Sequence, residues 1–67
     1  MIRYFLKKSL DEKKIIRIIY DNKGTITERD VRVLSLNDEK ISAFCYLRNT
    51  KRTFIIANIL AANFFEE

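Results

Sequence analysis

The sequence contains no histidine and no proline, and only one glycine and one cysteine among its 67 residues. Without histidine, the usual general base at neutral pH is missing. The single cysteine, Cys45, excludes an internal disulfide and leaves no set of zinc ligands. A single glycine excludes a glycine-rich phosphate loop. We therefore expect no catalytic residues, no metal site and no cofactor, and we expect a binding protein rather than an enzyme.

Export and membrane signals are also missing from this sequence. Lysines and arginines interrupt any apolar run near the N-terminus that could act as an export signal. The longest uncharged stretch, residues 53–65, is shorter than the roughly 20 apolar residues that a membrane-spanning helix needs. Together with the single thiol, these features predict a protein of the cytoplasm, without a membrane partner.

The composition is that of a small folded domain with a basic balance. Hydrophobic residues make up 48% of the chain and the net charge is +4. The length predicts one domain, residues 1–67, whose stability is marginal unless a second copy or a larger partner covers part of its surface. Positive charge is concentrated in residues 1–20 and again in residues 48–52, which suits nucleic acid, a nucleotide or an acidic protein face.

Apolar spacing changes from four residues to two near Lys14, which predicts one helix followed by strands. Ile2, Leu6 and Leu10 form the stripe of a helix over residues 2–11. Strands are predicted near residues 14–20, 25–36, 40–47 and 52–56, joined by polar turns.

The last segment and the strands together define the predicted fold. Residues 57–65 are expected to form a short helix, or a short strand followed by a helix, and their bulky side chains favour the helix. The fold class is mainly β (α+β), with an N-terminal helix and a small antiparallel SH3-like or Sm-like barrel of four to five strands.

Two details of the strand pattern are specific enough to check. The alternation along the second strand slips at Leu34, which predicts a bend or bulge. Cys45 alternates with Ile41, Ala43 and Leu47 on one face, so it is predicted to be buried and unreactive.

Basic and aromatic side chains lie together around the predicted turn at residues 48–51. Arg48 and Arg52 flank this turn, and Phe44, Tyr46 and Phe54 lie on the strands beside it. Arginine forks bind phosphates or carboxylates, and exposed aromatic rings stack on bases. The alternative is that the aromatic rings pack inward and the arginines are surface residues of a hairpin without a binding role.

These segments resemble the WYL domain, a small Sm-like β-barrel module of bacteria, over residues 6–60. A run close to A-Y-C-x-x-R-x-x-x-R-T-F in that family is matched here by Ala43, Phe44, Cys45, Arg48, Arg52, Thr53 and Phe54. Earlier strands match through Ile16, Ile18 and Tyr20, and through Arg29, Val31, Val33 and Leu36. The tripeptide that names the family corresponds to Glu39-Lys40-Ile41, so the resemblance is to a divergent member.

The resemblance implies a part of a transcriptional regulator or helicase that senses a nucleotide-like ligand or binds single-stranded nucleic acid. Under this hypothesis phosphate is met by Arg29, Arg48 and Arg52, and stacking surfaces are offered by Tyr20, Phe44 and Tyr46. A second hypothesis is a protein-interaction module, in which apolar residues of the outer face join copies of the chain or a host protein.

Overall fold

One helix and five antiparallel strands make up the computed structural model, which describes residues 1–65 of the predicted domain. The elements are α1 Ile2–Glu12, β1 Ile16–Asn22, β2 Thr25–Leu36, β3 Lys40–Cys45, β4 Thr50–Ile55 and β5 Ile59–Phe64. The strand order is β4-β3-β2-β1-β5, so β4 and β5 are the edges and the sheet is not closed. This is the mainly β architecture of a small SH3-like or Sm-like module, as the sequence predicts.

The hairpin between β1 and β2 is the tightest connection in the sheet. Its two central residues, Lys23 and Gly24, both have positive φ angles, 55° and 91°. Two such residues suit the right-handed twist of a two-residue hairpin, and glycine adopts this conformation without a steric penalty. The Asp21 carboxylate accepts a hydrogen bond of 2.8 Å from the Gly24 N–H. The turn therefore fixes the register that pairs Asn22 with Thr25.

One face of the sheet forms the core, because inward and outward residues alternate along the strands except at the register shifts between β2 and β3 and between β1 and β5. The buried apolar side chains come from the helix and from all five strands: Leu6, Ile16, Ile18, Tyr20, Val31, Val33, Ile41, Ala43, Cys45, Phe54 and Ile59. The predicted slip at Leu34 is confirmed, since the register between β2 and β3 shifts between Val33 and Ser35.

Helix α1 covers the core at the Ile16 end of β1. Phe5 of the helix packs edge-on against Phe64, the residue of β5 that pairs with Ile16, with ring centroids 4.9 Å apart. Ser9 is fully buried, and its hydroxyl accepts a hydrogen bond of 2.9 Å from the Val33 N–H. The helix is thus tied to the sheet beside the bulge in β2.

The predicted C-terminal helix is wrong. Residues 56–58 form one 3₁₀ turn, and Ile59–Phe64 is the edge strand β5, paired antiparallel with β1. The short apolar run in residues 57–65 is compatible with either a helix or a strand. The strand forms because the edge of β1 is free to pair with it. Pairing there satisfies backbone N–H and C=O groups of β1 that would otherwise be left without partners.

The third strand is shorter than predicted. It ends at Cys45, and residues 46–49 form the turn to β4. Leu47, predicted to share the buried face of Cys45, is 62% exposed. Asn49, the last residue of this turn, adopts a φ of 57°. Because the turn begins directly after Cys45, the alternation of the strand does not extend to Leu47.

Candidate anion-binding site

A small polar pocket lies between β1, β2 and β4, at the Tyr20 end of β1 and away from α1. Its volume is about 80 Å³. The lining residues are Tyr20 and Asn22 from β1, Arg29 from β2, and Arg52, Thr53 and Phe54 from β4. Two of these side chains carry guanidinium groups and none carries a carboxylate. The pocket is therefore a concentration of unbalanced positive charge.

Arg29 is the buried cation of this pocket, with 5% of its surface exposed. It points inward because it shares the face of Val31 and Val33 on β2. Its Nε donates to the Thr27 hydroxyl at 3.2 Å and its Nη1 to the Cys45 sulfur at 3.6 Å. Within residues 1–65 no carboxylate oxygen lies within 4.0 Å of it. Burying a charge without a counter-ion is costly, so the site favours an anion.

Arg52 supplies the second guanidinium. It lies opposite Ala43 on the inward face of β4, two residues before the buried Phe54, and is half-buried. Over the described part of the chain its side chain makes neither a hydrogen bond nor an ion pair. Its N–H donors are therefore free to bind a ligand in the pocket.

On the opposite face of the sheet, the charge of Arg17 is neutralised by a carboxylate, in contrast to the charges in the pocket. The Nε of Arg17 donates to the Asp30 carboxylate at 2.8 Å, and this hydrogen bond raises the pKa of Arg17. The larger hollow beside α1, about 390 Å³, is similarly balanced, because Lys8 pairs with Glu12 at 2.8 Å along its wall. The pocket of Arg29 and Arg52 has no such pairing.

Tyr20 closes the pocket by joining two strands that are not neighbours in the sheet. Its hydroxyl accepts a hydrogen bond of 3.0 Å from the Ile55 N–H, and its ring packs edge-on against Phe54 at 5.0 Å. The ring is 9% exposed, so little of it is available for stacking on a base. The hydroxyl proton has no acceptor among the hydrogen bonds of residues 1–65, which leaves it available to an anion.

Cys45 lies behind Arg29 and is fully buried, as the strand pattern predicts; its reactivity stays a prediction. Burial raises the pKa of this thiol. Hydrogen bonds from the backbone N–H groups of Arg48 and Leu47 and from the Arg29 side chain outweigh burial, so the pKa is lowered overall. The sulfur therefore acts as an acceptor that holds one side of the Arg29 guanidinium in place.

The structure brings together three of the six residues proposed from the sequence and separates the rest. Tyr20, Arg29 and Arg52 line the pocket. Phe44 lies on the outward face of β3 and contacts Tyr46, with ring centroids 4.9 Å apart. Tyr46 and Arg48 are exposed in the turn between β3 and β4. None of these three lines the pocket.

Asn22 and Thr53 are lining residues that the sequence reasoning did not identify. Neither side chain makes a hydrogen bond in the described part of the chain. Asn22 is two residues after the inward-facing Tyr20 and offers donors to a ligand, whereas Thr53 is exposed on the outward face of β4 and only borders the pocket. Thr53 lies inside the matched segment between Arg52 and Phe54, a signal that could have identified it. Asn22 follows Tyr20 at the end of β1, but nothing local shows that β1 and β4 converge.

Other kinds of site find no support in residues 1–65. No cluster of three or more potential metal ligands occurs among them. No helix among the same residues is long and apolar enough to cross a membrane.

The comparisons with known proteins show a likeness of fold. No protein-family model matches the sequence, and no curated protein matches it significantly. Among solved structures, the chain is similar to proteasome accessory factor B/C (PafBC) of Arthrobacter aurescens, with a TM-score of 0.78 and 22% sequence identity. The match covers 92% of this chain but 11% of the PafBC chain. It supports a WYL-like fold, and at this identity it shows the fold alone.

Proposed function

We propose that this chain is a small regulatory binding module that holds a phosphate-bearing ligand in the pocket of Arg29 and Arg52. The ligand is single-stranded nucleic acid or a nucleotide-like anion. The observation that carries this proposal is the buried Arg29 guanidinium, which lines the pocket without a carboxylate among residues 1–65. Charge-assisted hydrogen bonds to phosphate oxygens would satisfy it.

The regulatory part of the proposal is supported by resemblance. The matched segments resemble the WYL domain, whose members are usually parts of bacterial transcriptional regulators or helicases. The likeness to a part of PafBC agrees with this. We extend the proposal to a bacterial, cytoplasmic protein that acts in transcription regulation by binding, without catalysis.

Each pocket residue has a separate role in this proposal. Arg52, half-buried and free, makes the first contact with phosphate, and Arg29 supplies the fixed charge behind it. The Tyr20 hydroxyl donates a further hydrogen bond. Contacts from Arg48, Phe44 and Tyr46 to a longer ligand stay predictions, because none of the three lines the pocket.

Labelled single-stranded DNA and RNA, titrated at two salt concentrations, test the proposal. We expect Arg52→Ala to weaken binding and to reduce the dependence of log K on log salt by about 0.7 for the lost phosphate contact. Lys51→Ala is the matched control: it removes the same charge from the adjacent residue, which faces outward on β4 opposite Phe44.

The difference between these two variants decides the result. A long-range effect of net charge would weaken binding equally in both. Equal losses, or no loss in Arg52→Ala while its fold is intact by circular dichroism, would contradict the proposed site.

A second function is favoured by the apolar turn between β3 and β4. Tyr46 is 40% exposed and Leu47 62% exposed, and Phe44 adjoins them. Exposed apolar residues that cluster suit a contact with a second copy or a host protein. Sedimentation of the wild type and of Leu47→Ser tests this function, because a homo-oligomer held by this turn would dissociate in the variant.

A further inference from the structure

The size of the pocket limits what can enter it. Its volume is about 80 Å³, against about 390 Å³ for the hollow beside α1. Two guanidinium groups and no carboxylate line this small space. It therefore suits a small anionic group better than an apolar ring.

The charge of the pocket distinguishes between two kinds of phosphate. Arg29 and Arg52 together carry two positive charges, and no carboxylate lines the pocket with them. An internal phosphodiester carries one negative charge. A terminal phosphate monoester carries about −1.5 to −2 near pH 7. Only the monoester neutralises both guanidinium groups.

The burial of Arg29 also favours a terminal phosphate monoester over an internal phosphodiester. With 5% of its surface exposed, its remaining donors are reached only by a group that enters the pocket. An internal phosphate has a sugar on each side, and both would have to fit at the mouth. A terminal phosphate has one ester arm and three free oxygens, which suit the free donors of Arg52 and Asn22.

From these observations we infer that the pocket is specific for a terminal phosphate monoester, the chemistry shared by the phosphorylated end of single-stranded nucleic acid and by a free nucleotide. This inference rests on the proposed function, because it specifies which phosphate occupies the same pocket. It assigns to the pocket the recognition of a terminal phosphate group rather than of the phosphodiesters inside a strand.

Paired ligands that differ only in this group test the inference. The first pair is one DNA strand with a 5′-phosphate or a 5′-hydroxyl, labelled at its 3′ end and followed by fluorescence anisotropy. The second pair is adenosine 5′-monophosphate and adenosine 3′,5′-cyclic monophosphate, a diester of the same nucleoside, followed by calorimetry. We expect the monoester to bind at least tenfold more tightly in at least one pair. Which pair responds identifies the source as a strand end or a free nucleotide.

The variants make failure of the inference distinguishable from failure of the proposed function. Arg52→Ala should abolish the preference for the monoester, and Lys51→Ala should keep it. Equal affinity for both members of each pair, with binding still lost in Arg52→Ala, would overturn the inference and leave the proposed function standing. Binding that does not depend on Arg52 at all would overturn both.

Discussion

Arg29 is almost completely buried, yet its hydrogen-bond partners are the Thr27 hydroxyl and the Cys45 sulfur rather than a carboxylate. If this position served stability alone, an apolar residue of similar volume would stabilise the fold more, because desolvating the charge is unfavourable. Its position beside a second free guanidinium, Arg52, supports the proposed anion site.

The first prediction concerns this residue. Arg29→Met removes the buried charge and leaves a shorter, unbranched apolar side chain, while the Thr27 hydroxyl retains its bond to the Tyr20 carbonyl. Without any ligand, we expect the free energy of unfolding to stay unchanged or to rise by about 1 kcal/mol. Ligand binding should be lost. Chemical denaturation in chloride buffer and a binding titration measure the two effects, and a large loss of stability would assign Arg29 to structure.

The site could be predicted from the sequence only in part. Arg29, Arg52 and Tyr20 follow from residue types at recognisable spacings on three strands. Their convergence does not follow, because β1 and β4 are separated by two strands in the sheet and meet only through its curvature. The outward placement of Phe44 follows from strand alternation, whereas the exposure of Tyr46 depends on where the strand ends.

At the scale of elements, a buried hydroxyl adds to the apolar packing that attaches α1 to the sheet. Ser9 donates to the Lys14 carbonyl at 2.6 Å and accepts from the Val33 N–H at 2.9 Å. It therefore connects the end of the helix to the bulge of β2. Sequence periodicity gives no sign of this, since serine on the inner side of a helix looks like an interruption of the apolar stripe.

A substitution at Ser9 tests this attachment. Ser9→Ala removes the hydroxyl that accepts from the buried Val33 N–H and donates to the part-buried Lys14 carbonyl, so we expect the free energy of unfolding to fall by about 1–3 kcal/mol. Ser35→Ala is the control, because Ser35 is exposed on β2. Urea denaturation followed by circular dichroism compares the two, and equal stabilities would contradict the attachment.

The C-terminal edge strand is the element whose type the sequence predicted wrongly. Ile59, Leu60, Phe64 and the alanines between them fit a helix locally. In the structure, Ile59 pairs with Tyr20 at a register shift in β1, and residues 61–64 complete the pairing. Pairing with β1 thus overrides local propensity, which is a tertiary effect that no short window of sequence contains.

Adjacent residues of β5 provide the test of this correction. Ile59 is 3% exposed and Leu60 is 53% exposed, as alternation in a strand requires. We expect Ile59→Val to lower the free energy of unfolding by about 1 kcal/mol and Leu60→Val to change it by less than about 0.5 kcal/mol. Thermal and urea denaturation measure both, and similar losses would contradict the strand.

At the scale of the whole molecule, the two ends of β1 have different surroundings. The Ile16 end is covered by α1, whose Phe5 packs on Phe64. The polar pocket lies at the Tyr20 end. The net charge of +4 adds a general attraction for anions. Under the proposed function, the pocket selects the ligand and this general charge does not.

The most direct test of that claim observes the arginine side chains themselves. In a nuclear magnetic resonance titration with inorganic phosphate at constant ionic strength, the Nε–H signals of Arg29 and Arg52 should shift together and saturate. Those of Arg48, in the exposed turn, and Arg17, paired with Asp30 on the opposite face, should not shift. Uniform, unsaturated shifts of all four signals, or no shift at Arg29 and Arg52, would contradict the account.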